Sequence, residues 1–141
     1  RREVAAKAAG RGAVFATAIH PSAVIGSGVE IGPGTVVMPN AVINAGSRIG
    51  AHVIINTAAT VDHDCTIGDF AHISPGAHLA GGVKVGEGSH VAIGASLIPG
   101  VAVGKWSTVG AGSTVIRDIP DGVVVFGSPA RVIKSRKAPL V

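Results

Sequence analysis

At 141 residues the chain is long enough for one domain with a sizeable core, and that core must be aliphatic, because there are three Phe, one Trp and no Tyr. The net charge is +4 and the pI is near 9.9, but no basic stripe is interleaved with stacking aromatics, which argues against a nucleic-acid partner. A single cysteine, Cys65, excludes an intrachain disulfide framework, and no segment reads as a membrane span or a signal peptide.

In chain order, RREVAAKAAGRG reads as a short helix ending near Gly10 or Gly12. Residues 1–12 have nothing obvious to pack on except the end of whatever follows, so the chain is expected to be a piece cut from a longer protein or one that lost an upstream domain. Many of the basic residues lie here (Arg1, Arg2, Lys7, Arg11) or near the other end (Arg131, Lys134, Arg136, Lys137). They read as solvated termini; the alternative is a surface that tolerates an anionic ligand.

From Ile19 to Val109 sixteen aliphatic residues stand at strict six-residue spacing, passing through Ile43, Val61, Ile73 and Val91. Ile, Leu and Val make up 38 of the 141 residues, so chance gives such a run with a probability on the order of 10⁻⁹. The fifth position of every hexad holds nothing larger than Val, for example Ser47, Cys65, Ala77 and Ser89. Cys65 therefore reads as a core residue and not a reactive thiol. A period of six fits neither a helix nor a lone strand, but it fits a short strand plus a corner, coiled into a β-solenoid. Glycines at the second and fourth positions suit such corners, and prolines share the third (Pro33, Pro39, Pro75, Pro99). If three hexads make one triangular turn, residues 18 apart stack, which places His72 against His90 and Ile93 in line with Ala111. After Thr114 the hexads are expected to stop. The segment IRDIPDGVVVFGSPARVIK then supplies a Pro-Asp-Gly turn and a strand at 123–126, and is expected to cover the open end of the solenoid.

The chemistry must come from residues that break the repeat. The densest polar interruption runs through Asn56, Thr57, Asp62, His63, Asp64, Asp69, His72 and His78. A histidine is the usual general base near neutral pH, and a carboxylate beside it can fix its tautomer and stabilise the protonated ring. Asp62 and Asp64 both adjoin His63, and adjacency alone does not choose between them. Spacing alone also does not separate a base from a surface histidine in a polar corner.

The hexapeptide run resembles the left-handed parallel β-helix acyltransferases, an all-β fold that departs from the usual right-handed crossover. Within them, INTAATVDHDCTIGDFAHISPGAHLAGGVKVGEG and the tail IPDGVVVFGSPARVIK are similar to the bacterial sugar acetyltransferases. These include the sialic-acid O-acetyltransferases and the UDP-4-amino-sugar N-acetyltransferases. The resemblance runs from about Phe15 to Lys134. The hexads are specific for the fold only; the HDC, FAHISPGAHLAGGV and GSPAR segments together are specific for the family. It implies a catalytic β-helix over 13–118, a closing segment over 119–141, and an N-terminal helix left from a Rossmann-like nucleotide-sugar domain. It implies acetyl-CoA as co-substrate and no metal. His63 would be the general base paired with Asp64, and Asn56 would lie on the acceptor side. His72 would contact the thioester region, Gly81 would donate its N–H to the oxyanion, and Ile93 and Ala111 would line the path of CoA. The assembly implied is a cytoplasmic homotrimer with CoA between subunits, no membrane insertion, and a sugar or nucleotide-sugar acceptor of cell-surface polysaccharide synthesis.

Two other readings compete. Some β-helix trimers bind zinc through three histidines and hydrate carbon dioxide, using two ligands five positions apart. The gaps between this chain's six histidines are 32, 11, 9, 6 and 12, and His90 reads as a solvated corner residue. The other reading is a trimeric scaffold without chemistry, for which repeat-average residues would be expected over 56–82 instead of this polar cluster.

Overall fold

The structure, a computed structural model, describes residues 1–135. The six-residue period becomes a triangular coil. Each aliphatic position and the residue before it form a two-residue strand, such as Thr60–Val61, Thr66–Ile67 and His72–Ile73, and four residues turn the corner to the next. Every third strand stacks in parallel on the one 18 residues earlier, as in the registers Ile54↔His72↔His90 and Ile55↔Ile73↔Val91. The result is a left-handed parallel β-helix with an eight-stranded, a six-stranded and a five-stranded face.

The core follows from the pattern. From Val37 to Val115 each strand points its aliphatic residue inward, and the small fifth residue of each hexad fills the corner behind it, so that Ile43, Ile55, Val61, Ile67 and Ile73 are buried together with Ala59, Cys65, Ala71 and Ala77. One large and one small side chain per side fit a narrow prism at close packing. Some fifth positions carry a hydroxyl, and these tie coils together. Ser47 Oγ donates to the carbonyl of Asp62 at 2.8 Å and accepts the N–H of Cys65 at 3.1 Å. Cys65 repeats the device one coil on, its thiol donating to the carbonyl of Ala80 at 3.2 Å. Ser47→Ala would leave a buried carbonyl and N–H unpaired, and is expected to cost about 1–3 kcal/mol in a denaturant melt.

The corners show why glycine recurs. From residue 28 to 112 all fifteen fourth positions have positive φ; nine are glycine, and the other six are Asn40, His52, Ala58, Asp64, Phe70 and Trp106. A side chain there is kept against a backbone preference of about 1 kcal/mol or more.

Two expectations need correction. The hexads do not stop at Thr114, because Thr114–Val115 forms another strand with Val115 buried. The segment after it covers the exposed edge of the eight-stranded face with two further strands. It continues the coil with a shortened register, Ile119 bridging to Val103 and Val125 pairing with Val109, each 16 residues on instead of 18. Ala130–Ser135 then folds back antiparallel on Val123–Gly127 as the outermost strand of the eight-stranded face. Finally, the helix Arg2–Ala9 lies along the side of the solenoid and not on its end. Arg1 donates to the carbonyl of Phe70 at 2.6 Å, and the Arg2 guanidinium sits 5.4 Å from the centre of the Trp106 ring. That corner also carries stacked rings, Phe15 edge-on to His52 and His52 face-to-face with Phe70. No helix among the described residues is long and apolar enough to cross a membrane. Arg136, Lys137 and the end of the 119–141 segment lie outside the described residues.

Candidate active site

Three successive coils build the corner between the six-stranded and five-stranded faces, at residues 44–46, 62–64 and 80–82. His63 stands in the middle coil. Its Nδ1 lies 2.9 Å from Asp64 Oδ2, so the structure selects Asp64 as the partner of the ring, and the short aspartate reaches it. Asp64 is one of the six non-glycine residues at a left-handed position (φ 57°), and that conformation turns its carboxylate back beside the ring. It packs over Gly46, where a Cβ would come 2.5 Å from Asp64 Oδ1. With Nδ1 as donor to Asp64, Nε2 is left as the acceptor. That nitrogen faces Gly81, where a Cβ would lie only 2.5 Å away.

The pKa of His63 is raised from its ordinary value, first by the hydrogen bond to Asp64 and then by the charge of Asp62. A base must be neutral to act, so the acid limb of a pH–rate profile is expected above the usual histidine range. Asp64→Asn removes the carboxylate that stabilises the imidazolium. The limb should then move to lower pH while the maximal rate falls, as kcat/KM measured across pH would show.

Asn56 and His72 meet elsewhere. Asn56 Nδ2 donates to His72 Nε2 at 3.1 Å at the junction of the eight-stranded face with the corner leading to the six-stranded face. Burial, with the nearby His90 and Arg1, pushes the His72 pKa down to about 4, so its ring is neutral near pH 7. Ile93 and Ala111 follow on the same corner, one and two coils beyond Pro75, and both are exposed. His63, Asp64 and Gly81 thus share one corner, while Asn56, His72, Ile93 and Ala111 share another. The 18-residue stacking that aligns Ile93 with Ala111 also carries that division, because His63 and Gly81 are 18 apart.

His90 is not a solvated corner residue. It lies on the strand His90–Val91, stacks on His72 with ring centres 5.0 Å apart, and shares a 2.7 Å hydrogen bond with Ser74 Oγ. Among the described residues no three His, Cys, Asp or Glu side chains converge as metal ligands.

A shallow cavity of about 350 Å³ opens on the six-stranded face beside His63, lined by Asn44, Thr60, Asp62, His78, Ala80 and Leu97 among others. A hollow of about 390 Å³ on the five-stranded face lies away from the histidine. Part of its rim is a run of glycines, and packing explains them: a Cβ at Gly68 or Gly86 would come 2.6 Å from the backbone nitrogen of Glu87 or Lys105 on the next coil.

A histidine backed by a carboxylate on an open corner, with its other nitrogen against a glycine, can accept a proton at that nitrogen. Comparison with known proteins points the same way. The bacterial transferase hexapeptide (six repeats) family matches residues 22–57. PerB from Caulobacter crescentus, solved with CoA and GDP-perosamine, is 47% identical with a TM-score of 0.93, over 94% of this chain and 64% of that one. The acetyltransferase domain of PglB from Neisseria gonorrhoeae, solved with acetyl coenzyme A, is 46% identical with a TM-score of 0.91, over 94% and 64%. WeeI from Acinetobacter baumannii is 29% identical with a TM-score of 0.91, over 94% and 65%. No curated protein sequence matches the chain. The chain thus carries the bacterial transferase hexapeptide repeat and is similar, over nearly its whole length, to solved sugar acetyltransferases. It spans 64% of the length of both PerB and PglB as solved.

Proposed function

We propose that this chain is the catalytic β-helix of an acetyl-CoA-dependent acetyltransferase acting on an amino group of a nucleotide sugar. The observation that carries the reading is the placement of His63, with Nδ1 on Asp64 and Nε2 against Gly81. His63 takes a proton from the acceptor amine as its nitrogen attacks the thioester carbonyl. The Gly81 N–H donates to the oxyanion, a contribution of roughly 3–4 kcal/mol to the barrier where such a donor is preorganised. As the tetrahedral species collapses, the C–S bond breaks and CoA leaves as the thiol with one proton, while the new amide stays on the sugar. No covalent enzyme intermediate is required, and Cys65 is buried with its thiol pKa pushed up by burial, the wrong state for a nucleophile. The nitrogen acceptor is favoured by the solved relatives, one of which is described as a perosamine N-acetyltransferase with CoA and GDP-perosamine bound.

The assembly we propose is a homotrimer. Support comes from the split of the candidate residues between two corners of one chain: closed three-fold packing sets the His63 corner of one subunit against the Asn56–His72 corner of the next. In that groove His72 faces the thioester, Asn56 the acceptor, and Ile93 and Ala111 the length of CoA. The helix Arg2–Ala9 is proposed to lead in from an upstream nucleotide-sugar domain, in line with the greater length of the relatives. The reaction belongs in the cytoplasm, where acetyl-CoA is available.

Titration calorimetry of acetyl-CoA into the protein, with its mass in solution measured on the same sample, tests the reading. One site per chain on a trimer is the expected result, followed by CoA release in the presence of an amino-sugar nucleotide. A folded trimer that takes up no acetyl-CoA would sink it.

A further inference from the structure

His63 has a second carboxylate beside it that the proposed mechanism does not use, and that carboxylate is held from the coil below. Asp62 Oδ1 accepts two hydrogen bonds, from the His63 backbone N–H at 2.8 Å and from Asn44 Nδ2 at 2.7 Å. Asn44 lies 18 residues before Asp62, so the two occupy the same place on adjacent coils. Ser47 on the lower coil also grips the carbonyl of Asp62. The tripeptide Asn44-Ala45-Gly46 thus forms a seat for Asp62-His63-Asp64: the asparagine holds one carboxylate, and the missing side chain of Gly46 makes room for the other.

We infer that Asn44 and Asp62 form a second arm of the base, in which Asn44 is a positioning residue that locks the Asp62 carboxylate against the His63 backbone, so that the imidazole works in the field of two fixed negative charges. The inference rests on the proposed role of His63. Two things support it apart from the contacts. Asn44 is exposed, so core packing gives no reason for an asparagine there. The Asp62 pKa is lowered, first by Asn44 and then by the His63 N–H, which keeps the carboxylate ionised. The charged groups around the ring are few. Its own coil supplies Asp62, Asp64 and the inward Cys65; residues 44–46 below and 80–82 above carry no titratable side chain; His78 lines the cavity that Asp62 also lines.

The test is the titration of the His63 imidazole, followed by NMR in the free protein, beside the pH profile of acetyl transfer. Asp62→Asn keeps an oxygen for both hydrogen bonds and removes the charge. It should lower the His63 midpoint, move the acid limb of kcat/KM to lower pH, and reduce the plateau on the order of threefold to tenfold, because a weaker base transfers the proton less well. Asn44→Ala should shift the midpoint in the same direction. The double variant should be no worse than Asp62→Asn alone, because Asn44 acts through Asp62. Unchanged midpoints in both single variants, or losses that add in the double, would overturn the inference. The NMR readout needs no substrate, so the absence of acetyl transfer would count against the proposed function and leave this test standing.

Discussion

Replacing His63 with alanine is expected to lower kcat/KM for acetyl transfer by about 10²- to 10⁴-fold, the range that a positioned general base contributes. Thermal stability should hardly change. The side chain is exposed, its hydrogen bond to Asp64 is at the surface, and the coil beneath it is held by backbone bonds and the Ser47 hydroxyl. CoA release monitored with a thiol reagent, beside a thermal melt of the same sample, separates the two. Full activity in the alanine variant would remove His63 from the mechanism, and a large drop in melting temperature would make any loss of rate uninformative.

Gly81→Ala carries the second large effect. The added methyl would lie 2.5 Å from His63 Nε2 and 2.6 Å from Cε1, well inside contact distance. The backbone of Gly81 is not in the left-handed region, so alanine itself is tolerated there. The clash is relieved by swinging the exposed ring away, at little cost to folding, but the swing breaks the 2.9 Å bond to Asp64 and takes the base off its acceptor. We expect a loss of about 10²-fold or more in kcat, the scale on which a displacement of about 1 Å acts. The melting temperature should be nearly that of the parent, and acetyl-CoA should still bind. An alanine variant with parental kcat would mean that the ring does not need this glycine.

Much of the architecture was written in the period. Sixteen aliphatic positions at six-residue spacing implied the strand-and-corner coil, and three hexads per turn brought His72 to His90. The period failed where it changed. The last turn is two residues short, so Ile119 and Val125 reach the core out of step with the hexads before them. The helix was misplaced because what receives its start, the Phe70 carbonyl and the Trp106 ring, comes from fourth positions far apart in sequence. At the candidate site, the family motif named His63, Asp64 and Gly81, and the structure brings these together. What it did not name is the support: Asn44 and Ser47 look like ordinary repeat residues until the coil sets them under Asp62. Adjacency alone left Asp62 and Asp64 open; the resemblance pointed to Asp64, and the 2.9 Å contact with Nδ1 agrees.

The constant coil makes this protein a ruler. Each turn advances the chain by one strand spacing, about 4.8 Å, so positions along a corner are graduated in units of 18 residues. His63 and Gly81 lie one graduation apart, and Ile93 and Ala111 mark the next two beyond Pro75 on the neighbouring edge. Splicing one whole coil between Gly82 and Ile93 would leave the gap at the base untouched. It would move the far marks one step, about 4.8 Å, away from His72. In the proposed trimer, the length of donor that the groove would accept is therefore a whole-number property of the fold, adjustable by adding or removing turns without redesigning a single side chain at the reacting end.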